Sequence, residues 1–253
     1  MAEQVPLITL LCVSRNRLAN LKRMITSFVS TVGCDFRVVV GFDEDFTSYS
    51  AMPTYPNTRS MLLSPRHYYC RGANALYLWS KTNIPEFNYF VLTGDDTEFV
   101  VGNWGPALIS AYHRDLPQGG VIDLVEPEAC AHFFSHRDFY DEHFDGLIWD
   151  PVYTMYNSDT EMVCRLKEMN ALTHMKINVS AAKQKAICIH HHNHDAMRDE
   201  LAYWAYWDKY VYGLRAKKFG WPLAQALDIH RDAKSDAGDS KPPTPGTSPT
   251  LSE

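Results

Sequence analysis

The sequence has no stretch of about 18 apolar residues, no Cys-x-x-Cys pair, no internal repeat and no glycine-rich phosphate loop of either standard type. Each absence removes a class of protein. Without a long apolar run, no membrane span is expected. The six cysteines (Cys12, Cys34, Cys70, Cys130, Cys164 and Cys188) are scattered. That excludes a zinc ribbon or a disulfide framework and points to core thiols in a reducing compartment, with the cytoplasm as the expected location. A surplus of positive charge is also missing. The 24 Lys and Arg against 30 Asp and Glu give a formal charge of -6, which leaves no global basic footprint for nucleic acid or an anionic membrane. The opening MAEQVPLITLLCVSRNR is acidic ahead of its short apolar run, unlike a secretory signal.

The chain does have enough apolar residues, 45% of 253, for one substantial core. Leu7 to Val13 is a continuous apolar run that reads as a buried strand, broken by Ser14-Arg15-Asn16-Arg17. Leu18, Leu21, Met24, Ile25 and Phe28 follow at helical spacing. Phe36 to Phe42 is a second strand ending in Asp43-Glu44-Asp45, and Met61 to Leu63 a short third. Arg71-Gly72-Ala73-Asn74 opens a helix to about Lys81, and Tyr89 to Leu92 is the next buried strand. This alternation predicts a parallel, doubly wound α/β sheet.

The second half is less regular. Helices are expected over Trp104 to Tyr112, Ser158 to Met169 and Met197 to Phe219, with short strands at Gly120 to Val125, Ala131 to Phe134 and Ala186 to Ile189. Ser158 reads as an N-cap with Glu161 as its capping-box partner. Tyr203, Tyr206, Trp207 and Tyr210 share a helical face expected to dock on the sheet, while Trp104 and Trp149 are expected beside an acceptor cleft. From about Asp232 the chain is Ser, Pro, Gly, Thr and charge, the composition of a disordered tail.

Three strands of the first half end in polar clusters: Ser14 to Arg17, Asp43 to Asp45, and Asp95 with Asp96. In a parallel sheet these ends share the carboxyl edge, where open α/β sheets bind ligands. Arginines and paired carboxylates at one edge suit a nucleotide diphosphate with a divalent cation.

The order LLCVSRNR, VVVGFDED, RGANALYLWSK, YFVLTGDDTEF, NSDTEMVCRLKE resembles that of family 2 glycosyltransferases of GT-A fold, over roughly residues 6 to 170. The resemblance implies a Rossmann-like, mostly parallel central sheet flanked by helices, with a smaller acceptor-side C-terminal part. It implies a single domain over 1–231, its nucleotide-sugar half about 1–100 and its acceptor half about 101–231, followed by the tail at 232–253. It also implies transfer from a UDP- or GDP-sugar, inverting, with Mn²⁺ or Mg²⁺ on the diphosphate.

By position, Ser14, Arg15, Arg17, Asp43, Arg71, Asn74 and Asp95 fall to the donor, and Asp159 to the general base. Asp95 and Asp96 fall to the metal. Thr93 stands where the family's Asp-x-Asp motif carries its first carboxylate, so a ligand is wanting. The resemblance assigns it to the tract His190-His191-His192-Asn193-His194-Asp195, with His192 as the expected ligand. In an extended segment His190 and His192, or His192 and His194, share a face. His132 and His136 are expected in the acceptor region or core. The acceptor is open among a saccharide, a protein and a modified nucleic-acid base. A nucleotidyltransferase or a non-catalytic nucleotide-binding module could use the same sheet edge.

Overall fold

The computed structural model describes residues 7–125, 130–155, 158–174, 176–180, 183–191 and 198–221. The expected tail, His192 and His194 lie outside these. In chain order the elements are β1 (Leu7–Ser14), α1 (Leu18–Thr31), β2 (Asp35–Asp43), α2 (Phe46–Ala51), β3 (Thr58–Leu63), α3 (Tyr68–Asn83), β4 (Tyr89–Gly94), β5 (Thr97–Phe99) and α4 (Trp104–Asp115). Then come β6 (Val121–Asp123), β7 (Phe133–His136), α5 (Arg137–His143), α6 (Ser158–Glu168), β8 (Leu172–His174), β9 (Lys176–Ser180), β10 (Lys183–Ala186), β11 (Cys188–His190) and α7 (Arg198–Phe219).

Among the described residues, seven strands form one sheet in the order β3-β2-β1-β4-β7-β6-β8. The pairs β1–β2, β2–β3, β1–β4 and β6–β8 are parallel, and β7 runs antiparallel between β4 and β6. The mostly parallel α/β sheet flanked by helices that the sequence predicts is observed. Strands β1, β2 and β4 are near-continuous apolar runs because helices cover both faces. Leu11, Val39 and Leu92 pack with Leu76 and Tyr77 of α3 on one face, while Leu10, Val40 and Val91 pack with Met24, Ile25 and Phe28 of α1 on the other.

The chain winds outward from β1 to β3, then crosses back to place β4 on the other side of β1. The carboxyl ends of β1 and β4 therefore flank the point where winding reverses, the crevice where such sheets hold ligands. Val13 is level with Gly94 and Ser14 with Phe42.

Several sequence expectations change. Helix α3 starts at Tyr68 rather than Arg71. Trp104 and Trp149 are core residues, 0% and 1% exposed: the first packs on Phe28 and Phe99, the second against Phe133 and Tyr69. Tyr206, Trp207 and Tyr210 do not dock on the sheet but are 68%, 44% and 53% exposed. The Tyr203 side chain is outside the description. The buried side of α7 is Asp208, Val211, Tyr212 and Ala216, because the Asp208 carboxylate accepts the N–H groups of Thr154 and Met155. Glu161 makes no capping box. It accepts a 2.6 Å hydrogen bond from Tyr153 Oη and pairs with Arg215 at 2.8 Å, tying α6 to α7. The cysteines are core thiols as expected, Cys34 alone being half-buried. No described helix is long and apolar enough to cross a membrane.

Candidate active site

Two of the three polar clusters meet directly at the crevice. Ser14 Oγ donates to Asp95 Oδ2 at 2.7 Å. Arg17 Nη1 lies 3.3 Å from Asp95 Oδ1 and 3.5 Å from Asp96 Oδ2, bridging the pair. The β1–α1 turn brings Arg17 there through Asn16, whose left-handed φ of 56° is held by its N–H donating to Asp45 Oδ2 at 2.7 Å.

The adjacent carboxylates differ in environment. Asp95 is 4% exposed. Burial raises its pKa to about 6 against the lowering by Ser14 and Arg17, and the Asp96 charge adds to the rise. Burial acts in the same upward sense on Asp96, but His190, His132 and Arg17 outweigh it and hold Asp96 below the usual aspartate range. Two titratable neighbours with opposed shifts are characteristic of a functional crevice.

The third cluster does other work. Asp43 is buried, accepts the N–H groups of His67 (2.6 Å) and Tyr68 (3.0 Å), and pairs with Arg66 at 3.6 Å. Tyr68 has φ 57°, costly for a bulky residue, and its ring lies under the Arg66 guanidinium at 4.1 Å. Asp43 thus fixes the start of α3. Asp45 caps α2 through Ser48 N–H at 3.0 Å, and the Arg15 charge helps lower its pKa against the effect of burial. Asn74 is committed to the backbone: its Oδ1 accepts from Ile148 and Trp149 N–H, and its Nδ2 donates to the Trp149 carbonyl. Arg71 is exposed on the first turns of α3. Asp43 and Asn74 therefore hold the start of α3 and the 148–149 backbone beside the crevice.

Asp159 sits in the first turn of α6, half-buried, with Oδ1 accepting Thr160 N–H at 2.8 Å. Burial raises its pKa. The neighbouring Ser158 Oγ accepts from Cys70 Sγ at 3.2 Å, so the N-termini of α6 and α3 meet. Tyr69, beside Cys70, lies in the first turn of α3. Its hydroxyl is pushed up first by burial, then by the charges of Cys12, Cys70, Asp159 and Asp96, and it donates to the Ala131 carbonyl at 3.2 Å.

Histidines complete the site. Among the described residues, Asp96, His132 and His190 present ligand atoms that all lie within 4.8 Å of one another. The rings of His132 and His190 are 4.5 Å apart, and His190 Nε2 is 3.4 Å from Asp96 Oδ2. Two imidazoles and a carboxylate in one cluster fit a divalent cation. His190 arrives because β11 pairs antiparallel with β5, which sets it opposite Thr97, while His191 N–H donates to the Asp96 carbonyl at 2.8 Å. From the histidine tract it is His190 that reaches Asp96, while the expected ligand His192 lies outside the described residues. His132 was not expected here; it immediately precedes β7, the strand beside β4. Asp95 faces Ser14 and Arg17 rather than this cluster. His136 caps α5 by accepting Asp138 N–H and lies against Tyr89.

Gly94 keeps the site compact. A Cβ there would sit 2.6 Å from Asp96 Oδ1 and 3.3 Å from His132 Cε1. Thr93, at the position lacking the carboxylate, contacts His132 Nδ1 through its hydroxyl at 3.2 Å.

Neither any protein-family model nor any curated protein matches the sequence. Among solved structures, the chain is similar to S. aureus TarS 1–349, at 8% identity and a TM-score of 0.48, covering 66% of this chain and 57% of that one. Against TarS 1–349 in complex with UDP-GlcNAc the identity is 11% and the TM-score 0.35, covering 47% and 34%. The chain thus spans less than two thirds of either structure's length.

Proposed function

We propose that the protein transfers a sugar from a nucleotide-diphospho-sugar, a UDP- or GDP-sugar, to an acceptor hydroxyl with inversion, using a divalent metal. The observation that carries this reading is the meeting of Arg17, the split pair Asp95 and Asp96, and two histidines at the crevice between β1 and β4. Asp159 lies in the first turn of α6, whose N-terminus meets that of α3 through Ser158 and Cys70. The sequence order that resembles family 2 glycosyltransferases supports the same reaction.

Asp96, His132 and His190 would hold the cation, which supplies charge neutralisation at the leaving diphosphate. Asp95, fixed by Ser14, steadies the turn that presents Asp96 and keeps the local field negative. Arg17 offers a donor-only fork that would hold a phosphate oxygen of the donor. Arg15 and Arg71 supply further positive charge along the donor path. Asp159 takes the proton of the acceptor hydroxyl as that oxygen attacks the anomeric carbon. Its pKa, raised by burial, strengthens it as a base. Asp43 and Asn74 act by holding the start of α3 and the 148–149 segment in place.

The test is donor turnover. UDP- and GDP-sugars with Mn²⁺ should yield free nucleoside diphosphate in the presence of acceptors. Release of pyrophosphate would indicate nucleotidyl transfer instead, and nucleotide binding without turnover would indicate a non-catalytic module.

A further inference from the structure

We propose that the cation site is imidazole-rich, with His132 standing in for the missing first carboxylate, and that it selects first-row transition ions over Mg²⁺. The use of that ion on a diphosphate rests on the reading above; the site itself rests on geometry alone.

Three segments distant in sequence are brought together by separate devices. Asp96 follows β4 in its turn, His132 leads into the antiparallel neighbour of β4, and His190 is placed by the β5–β11 ladder. The His132 and His190 rings are inclined at 59° instead of stacked, both beside the Asp96 carboxylate. Gly94 leaves the room in which Asp96 and His132 approach.

Two contacts at His132 Nδ1, from the Thr93 hydroxyl and the Gly94 N–H, compete to set its tautomer. Thr97 Oγ1 donates to the Gly94 carbonyl at 2.9 Å. The 2.7 Å contact between Thr93 Oγ1 and Thr97 Oγ1 then takes its proton from Thr93. The Thr93 oxygen is left to accept from His132 Nδ1–H at 3.2 Å, which places the ring's lone pair on Nε2. Gly94 N–H also lies 3.2 Å from Nδ1 and favours the opposite tautomer. Ligation through Nε2 would require the Nδ1–H form, in which Thr93 is the acceptor. A protein hydrogen bond to the far nitrogen of a ligating histidine is the usual support of such a ligand. Thr93 is thus a positioning residue, acting through His132.

An all-oxygen site admits Mg²⁺ readily, whereas imidazole nitrogen favours the transition ions that follow Mn²⁺ in the series to Zn²⁺. Two imidazoles and one carboxylate leave open positions for water or diphosphate oxygens.

The experiment titrates Co²⁺ into the full-length protein without any donor, following the visible d–d absorption bands. Competition with Mg²⁺ and Mn²⁺ is read in the same cuvette, and circular dichroism checks folding. The wild type should develop bands that millimolar Mg²⁺ leaves in place. His132→Asn keeps an acceptor near the Nδ1 position but has no Nε2; it should weaken Co²⁺ binding by at least about 10–100-fold and alter the spectrum. Thr93→Val should weaken binding by roughly 10-fold or more, and it carries the test if His132→Asn does not fold. Unchanged Co²⁺ affinity in the folded variants, or displacement by equimolar Mg²⁺, would overturn the proposal. Bands lost on substitution in a protein that turns over no donor would uphold the metal site and remove the transferase reading. Transfer persisting with unchanged metal affinity in His132→Asn would do the reverse.

Discussion

Thr93 Oγ1 lies 3.2 Å from Nδ1 of His132, across the boundary between the parallel part of the sheet and its antiparallel strand. A hydroxyl at this position cannot neutralise a cation as a carboxylate does, but it can aim an imidazole. The exchange makes local sequence a poor guide to the ligand set. The missing donor comes from a neighbouring strand, and its place depends on sheet order.

Gly94 is the most restrictive position around that pair. Gly94→Ala would put a methyl group 2.6 Å from Asp96 Oδ1, a flexible atom that can swing aside. Stability should therefore change by about 1 kcal/mol or less, while metal affinity falls by roughly 10–100-fold. Thermal unfolding with and without Mn²⁺ checks both. A metal-dependent rise in melting temperature equal to that of the wild type would show that Asp96 is not a ligand.

Arg17 stands where a cation would otherwise offset Asp95 and Asp96. Arg17→Ala leaves two neighbouring carboxylates opposed only by the histidines. In metal-free buffer the variant should lose about 1 kcal/mol or less, since the pair is long and its arginine partly solvated. Added Mn²⁺ should then stabilise it more than it stabilises the wild type, because metal and guanidinium share the same oxygens. The same substitution should raise the donor KM. An equal or smaller metal effect would contradict this competition.

Asn74 separates a scaffold from a ligand contact. Its three hydrogen bonds to the 148–149 backbone are buried, so Asn74→Ala should cost about 2–3 kcal/mol. The affinity of the folded fraction for nucleotide should stay as in the wild type. Denaturant unfolding together with calorimetric titration distinguishes this from a donor-binding residue, which would lose affinity at little cost in stability.

Burial raises the Asp159 pKa, and this sets the sign of the pH dependence. A general base works when deprotonated, so kcat/KM should fall as pH drops through this raised value, at a higher pH than an ordinary aspartate would give. The Asp159→Asn variant should lose that acid limb. A limb that persists unchanged in the variant would assign it to another group.

The first half of the chain could be read closely from sequence because its strands are buried on both faces and its helices amphipathic. The β1, β2 and β4 ends were expected to converge, and Ser14, Arg17, Asp95 and Asp96 do so. The second half resisted because its placement is non-local. Strands β5 and β11 are three residues each and exist by pairing with each other. That pairing, not a local periodicity, chose His190. The aromatic side of α7 pointed the wrong way for a similar reason: Asp208, polar by type, is buried because it caps two N–H groups of residues 154 and 155. The hydrogen bonds of Asp43 to the loop that starts α3 had no local signal in the sequence either.

The most direct measurement of the central claim compares donor turnover by the wild type and Asp159→Asn, with UDP- and GDP-sugars, Mn²⁺ and a panel of acceptors. Released nucleoside diphosphate is quantified chromatographically, and donor affinity is measured separately. The wild type should release UDP or GDP, and the variant should bind the donor equally but turn over about 10²–10⁴-fold more slowly. Equal turnover by both proteins, or nucleotide binding by the wild type with no transfer from any donor, would contradict it.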